Sequence, residues 1–196
     1  MLAFILALVL TVGTLTGCAP PGATPNPTRP RTPTPTLTPI PVLPIYVELS
    51  NKIDHAGILQ EDVEVASGDG YAIIHLAKGT KLSDAQGQPP DSISVTVSPP
   101  YVPSFGRFLS RSMYDFSPGG VIIDTPVPLT ICYDPSIVAP EGDERSAEIG
   151  YFDEVESSWT WLKVKVDLGT HCVTVEIDHL GTFIVSFEIW FSMPIS

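Results

Sequence analysis

The chain has 196 residues, with 22 acidic and 10 basic side chains and a formal net charge of −12 at pH 7. All the acidic residues but only eight of the basic ones lie beyond position 45, which leaves residues 46–196 at −14. That balance argues against nucleic acid and against docking of this region on anionic lipid headgroups, since both are polyanions.

The first 18 residues, MLAFILALVLTVGTLTGC, carry no charged side chain and close on Leu15-Thr16-Gly17-Cys18. An apolar stretch of this length followed by small residues reads as a secretion signal and not as a membrane-spanning helix. Its end resembles the lipobox of bacterial lipoproteins: an apolar residue, two small ones, then cysteine. The resemblance implies that the Cys18 thiol takes a diacylglycerol and that the preceding peptide bond is cut. Residues 1–17 would then be the signal peptide. The stretch departs from that family in lacking a basic start, the first cationic side chain being Arg29. An ordinary signal peptide with a coincidental cysteine is the alternative. A multiply acylated cysteine holds a protein to a membrane stably, at about 0.8 kcal/mol per buried methylene. Membrane contact is therefore expected through the lipid alone, on the extracytoplasmic side.

Residues 19–45 hold ten prolines and six threonines in 27 positions. Proline removes backbone donors and fixes φ, so this stretch reads as a linker that builds neither helix nor sheet. At ~3.1 Å per residue in polyproline II it reaches on the order of 80 Å. The expected organisation is a signal at 1–17, a lipidated Cys18 with its linker to 45, and one domain over 46–196. About 150 residues is an ordinary domain size, with enough chain to bury a core.

Beyond the linker, short alternating runs recur about every ten residues: 62–66, 71–76, 92–97, 127–133, 147–152, 158–161 and 172–177. Gly68-Asp69-Gly70, Asp84-Ala-Gln-Gly87, Ser117-Pro-Gly-Gly120 and Asp167-Leu-Gly169 supply turns between them. No window after the signal carries a 3.6-residue apolar stripe. The fold class expected is all-β, a β-sandwich.

Alternation also orients the two remaining cysteines. Val127, Leu129, Ile131 and Tyr133 share one face of their strand, which places Cys132 with Thr130 on the other. Val173, Val175 and Ile177 point inward, which places Cys172 with Thr174 outside. An antiparallel pairing with Cys132 opposite Cys172 sets Thr130 against Thr174, Ile131 against Val173 and Leu129 against Val175, so every pair matches in character. Directly opposed residues lie within disulfide reach, and export makes oxidation plausible. Two unpaired thiols on separate strands are the alternative.

Tyr114-Asp-Phe-Ser-Pro-Gly-Gly-Val-Ile-Ile-Asp-Thr-Pro-Val-Pro-Leu-Thr-Ile-Cys-Tyr-Asp134 resembles the central signature of the ZU-five domain, a β-sandwich. Upstream, Ile74-His-Leu-Ala-Lys-Gly-Thr80 is similar to that family's strand and turn, with Lys78 where proline is usual. Downstream, Asp178-His-Leu-Gly-Thr-Phe-Ile-Val185 resembles its closing segment. Some members cut their own backbone there at His-Phe-Ser, the serine hydroxyl attacking the preceding carbonyl. The matching positions here are His179-Leu180-Gly181, and glycine has no hydroxyl. His179 is expected to cap or hydrogen-bond the turn between two strands.

Other chemistry is thinly signalled. No Gly-x-Ser-x-Gly elbow is present. His55, His75, His171 and His179 are scattered, and His75, sharing a face with Tyr71 and Ile73, reads as a core-edge histidine. Zinc wants several ligands on one side, often His or Cys at short spacing. Asp134, Glu141, Asp143 and Glu144 flank one loop, and Asp153, Glu154 and Glu156 another, with no calcium-loop spacing. No cofactor or metal is implied, and an enzyme is not expected. Trp159 and Trp161 have the same strand parity, so they stack on sugars if their face is outward; the ordinary outcome puts Trp159 in the core. Tyr101, Phe105, Arg107, Phe108 and Arg111 enrich the segment 99–112 and make it the expected contact loop. The leading expectation is a non-enzymatic, lipid-anchored surface protein presenting a sandwich for protein or envelope contacts. The alternative is a carbohydrate- or calcium-binding module for substrate capture.

Overall fold

The structure, a computed structural model, describes residues 43–99, 107–138, 143–154 and 156–188. The apolar start, Cys18 and nearly all of the Pro/Thr segment lie outside the described residues. No helix among them is long and apolar enough to cross a membrane.

Strands account for most of this region. They are β1 (Ile45–Glu48), β2 (Val63–Ala66), β3 (Ala72–Leu76), β4 (Leu82–Ser83), β5 (Ser92–Ser98) and β6 (Arg107–Ser117). After them come β7 (Ile122–Cys132), β8 (Glu148–Asp153), β9 (Ser158–Lys163), β10 (Lys165–Asp167), β11 (Cys172–His179) and β12 (Thr182–Glu188). Two antiparallel sheets result. One has the order β1-β5-β6-β12-β8-β9; the other has β10-β11-β7-β3-β2, with β4 also paired to β7. The fold is the expected β-sandwich.

Period-two alternation decides which side chains fill the space between the sheets. Val95, Tyr114, Phe116, Ile149, Phe183, Val185 and Phe187 face inward from the first sheet. Val65, Ile74, Leu129, Ile131, Val173 and Ile177 meet them from the second. Burying a large apolar side chain contributes about 1.5–3 kcal/mol, and this interior is where the fold gains its stability. A polar tie crosses it: the Tyr114 hydroxyl donates to Asp69 Oδ2 at 3.3 Å, in the turn between β2 and β3. Burial, then the Asp69 charge, pushes the Tyr114 phenol well above its ordinary value.

The turns follow their sequence signals. Gly70 and Gly87 take positive φ, at 76° and 78°, where a side chain is strained. Asp84 Oδ1 accepts from the backbone N–H groups of Gln86 and Gln88, closing the second of these turns. Strand β6 starts earlier than the pattern predicts. Its first half, Arg107 onward, pairs with β12, with Phe108 opposite Phe187 and Arg107 opposite Glu188.

Candidate functional site

Of the residues expected to form a contact loop, Tyr101 and Phe105 lie outside the described residues. Arg107, Phe108 and Arg111 belong to β6; Arg107 and Phe108 pair with Glu188 and Phe187 of β12, and Arg111 falls where that register shifts between Ile184 and Ser186. The second half of segment 99–112 is therefore strand, not loop.

The Asp178-His179 pair sits at the end of β11, with His179 opposite Ile122 of β7. His179 Nδ1 lies 2.5 Å from Asp178 Oδ1, and its ring packs edge-on against Tyr151 with centroids 4.2 Å apart. Backbone hydrogen bonds hold the turn that follows. Leu180 N–H donates to Val121 O, Gly120 N–H to Leu180 O and Phe116 N–H to Gly181 O. The His179 ring bonds the Asp178 carboxylate and packs on Tyr151, while Leu180 N–H in the turn is met by the Val121 carbonyl. A β-carbon on Gly181 would come within 2.8 Å of Tyr151 Cε2, so the Tyr151 ring takes the space that a nucleophilic side chain would need. Burial first, then the charges of Asp153, Glu154 and Asp178, raises the Tyr151 phenol.

His75 is exposed on the outer face of β3, opposite Glu64, at 3.5 Å between Nδ1 and Oε2. It is not a core-edge residue. Ala72, Ile74 and Leu76 take the inward positions of that strand, and parity leaves His75 to solvent.

Cys132 and Cys172 are bonded to each other. Their strands pair in the register expected from alternation, with Thr130 opposite Thr174 and Leu129 opposite Val175. The next residues outward build a tether: Tyr133 Oη donates to Glu144 Oε2 at 2.8 Å, and His171 Nδ1 lies 2.9 Å from the same oxygen. The His171 hydrogen bond, supported by that from Tyr133, holds the Glu144 carboxyl below the ordinary carboxylate range. Burial, then the bond to Glu144, raises the Tyr133 phenol.

The acidic loops use their carboxylates as local caps. Asp134 accepts from Ser136 N–H, Asp143 from Arg145 N–H and Asp153 from Glu156 N–H. Glu141 is outside the described residues. Among the described residues, no three His, Cys, Asp or Glu side chains converge as metal ligands do.

The outer face of the first sheet carries the most distinctive surface. Directly paired residues share a face, so the register writes one row across five strands: Trp159, Phe152, Thr182, Asp115, Thr96. A parallel row reads Trp161, Gly150, Ile184, Met113, Ser98. Trp159 and Trp161 stack at 6.1 Å with 21° between their planes, and Phe152 lies 5.3 Å from Trp159. All three are partly exposed. Trp159 is therefore not in the core. The inward positions here belong to Ile149 and Leu162, which face each other, and Gly150 opens room on the outer side. A β-carbon on Gly150 would meet Trp161 Cζ3 at 2.6 Å and both Trp159 Cε3 and Ile184 Cγ2 at 3.0 Å. The two indoles nest over this glycine. Beside them Asp115 is fixed from both sides, by Ser117 Oγ at 2.8 Å and Thr182 Oγ1 at 3.2 Å. At the far edge Tyr46, paired with Ser94, is 67% exposed.

Sequence parity joined Trp159 to Trp161; the glycine beneath them was the missed signal, since it shows its role only once Gly150 is paired to Trp161. Neither the protein-family models nor the curated proteins searched give a match to this chain.

Proposed function

We propose that this chain is a non-enzymatic, lipid-anchored surface protein. It displays a ZU-five-like sandwich on a stiff Pro/Thr spacer for contacts in the cell envelope. The observation that carries the reading is Cys18, set after Leu15-Thr16-Gly17 at the end of an uncharged apolar segment and before a proline-rich stretch. The acidic domain supports it, because a −14 module repels anionic headgroups and suits being held off the membrane. The absence of a hydroxyl at Gly181, with the Tyr151 ring in its place, supports the non-enzymatic part. The contact surface is assigned to the outer face of the first sheet, where stacked aromatics and a fixed carboxylate share one plane.

Labelled palmitate fed to expressing cells should enter the protein, and Cys18→Ser should move it from the membrane to the soluble fraction. A Cys18→Ser protein that remains wholly membrane-bound and unlabelled would sink the anchor.

A further inference from the structure

We propose that the outer face of the first sheet binds a neutral, hydroxyl-rich polysaccharide, its pyranose rings lying on Trp159 and Phe152 and its hydroxyls donating to Asp115. The inference rests on the reading of this domain as a displayed contact module and names what that module contacts.

Three features of the face select this ligand. The aromatic end presents near-parallel indoles supported from below by Gly150. An aromatic face is the negative part of the ring quadrupole and attracts the weakly positive C–H edge of a sugar ring. A rigid indole also loses little conformational freedom when a ligand settles on it.

The polar end is built from acceptors. Asp115 is held by Ser117 and Thr182, so it is oriented before any ligand arrives. Ligand hydroxyls donating to such a carboxylate form charge-assisted bonds. An apolar protein patch laid on the same row would strip water from Asp115 without returning a donor, which is costly. A sugar chain returns donors at every residue.

The third feature is charge and length. At −14 the domain repels polyanionic chains, which removes acidic polysaccharides from the set. The row from Trp159 to Thr96 crosses four strand spacings, ~19 Å at ~4.8 Å each, enough for several linked rings. Tyr46, at the opposite edge, pairs with Ser94, two residues along β5 from Thr96 and so on the same face, and offers a second stacking surface for a longer chain.

The test uses the full chain in detergent, titrated with cellohexaose, laminarihexaose and chitohexaose, and with polygalacturonate as the anionic control. Tryptophan fluorescence and calorimetry supply the readouts. At least one neutral hexasaccharide should shift the tryptophan emission, and its affinity should rise from disaccharide to hexasaccharide. Trp159→Ala and Phe152→Ala should each weaken binding at least tenfold, and Asp115→Asn should weaken it several-fold. Trp159→Tyr, which keeps a ring and serves where the alanine variant misfolds, should retain most of it. No response to any neutral hexasaccharide overturns the proposal. So does preference for polygalacturonate, or binding that survives loss of both Trp159 and Phe152. An anchored, palmitate-labelled chain that binds none of the sugars overturns this inference alone. A sugar-binding chain that takes no lipid overturns the anchor alone.

Discussion

Cys132 stands directly opposite Cys172 in a pair that shares no backbone hydrogen bond. Cys132 N–H turns away to Tyr71 O, just ahead of β3, while Tyr133 N–H reaches His171 O on the far side of the pair. In antiparallel sheets this is the narrow kind of pair, whose side chains approach most closely. The disulfide therefore lies across two neighbouring strands of the second sheet, joining the last residue of β7 to the first of β11, and closes a loop with a sequence separation of 40.

Constraining a loop of that size in the unfolded chain contributes roughly 2–4 kcal/mol. Cys132→Ser/Cys172→Ser should lower the unfolding free energy in denaturant by that amount while far-UV circular dichroism stays β-like. Alkylation of freshly exported wild-type protein without reductant should find neither thiol. Two alkylatable thiols there would contradict the bridge.

The Leu180-Gly181 bond should remain intact in purified protein over days, seen as one chain on a denaturing gel. Placing a hydroxyl there does not repair chemistry. Gly181→Ser sets its β-carbon within 2.8 Å of Tyr151 Cε2, and that ring is wedged between His179 and Phe183, with centroids at 4.2 and 5.5 Å. Overpacking of this kind costs about 1–3 kcal/mol. A lowered melting temperature with no fragments is expected. Cleavage in the variant would show that Tyr151 yields easily.

The tether between Tyr133, Glu144 and His171 makes part of the stability pH-dependent. The Glu144 carboxyl titrates below its ordinary 4.5 when folded, because the ionised form receives both hydrogen bonds. A depressed carboxylate contributes stability that is complete above about pH 4.5 and is lost as pH falls through the folded value. Glu144→Gln should thus be less stable than wild type at pH 7, by about 1 kcal/mol or less since the side chain meets water. The gap should close on acidification. Denaturation midpoints measured from pH 7 down to pH 3 decide it, and a gap that is constant across the range would show that the carboxylate charge plays no part.

Strands with clean alternation were legible from sequence, as was the pairing of β7 with β11, because their inward residues are apolar and their outward ones are Thr and Cys. Strand β6 was only half legible. Arg107 and Arg111 break the apolar rhythm of its first half, and its pairing depends on β12, some seventy residues later, which sequence pattern does not reach. His75 was misplaced for a similar reason: Tyr71 and Ile73 give its face an apolar look, yet that face is the outer one. Of the candidate site, the parity of Trp159 and Trp161 was visible, and their side was not. Large apolar residues go inward by default, and here a glycine on the neighbouring strand reverses the default. Asp115, Thr182 and Ser117 are far apart in sequence or unremarkable in type, and only the β6–β12 register brings them together.

Gly150 is where that reversal can be tested. A strand glycine costs about 0.5–1 kcal/mol relative to alanine, so Gly150→Ala would stabilise the strand if nothing lay above it. Its new methyl group instead meets Trp161 at 2.6 Å and Trp159 and Ile184 at 3.0 Å. Ile184 is fully buried and has no room to retreat. The indoles lie on the partly exposed side, so they are the groups that must lift. The stacked geometry should be lost, and the overpacking should outweigh the backbone gain, leaving the variant about 1 kcal/mol less stable. Near-UV circular dichroism should change in the tryptophan bands while the far-UV spectrum holds. An unchanged tryptophan signal with raised stability would mean that the two rings do not rest on Gly150.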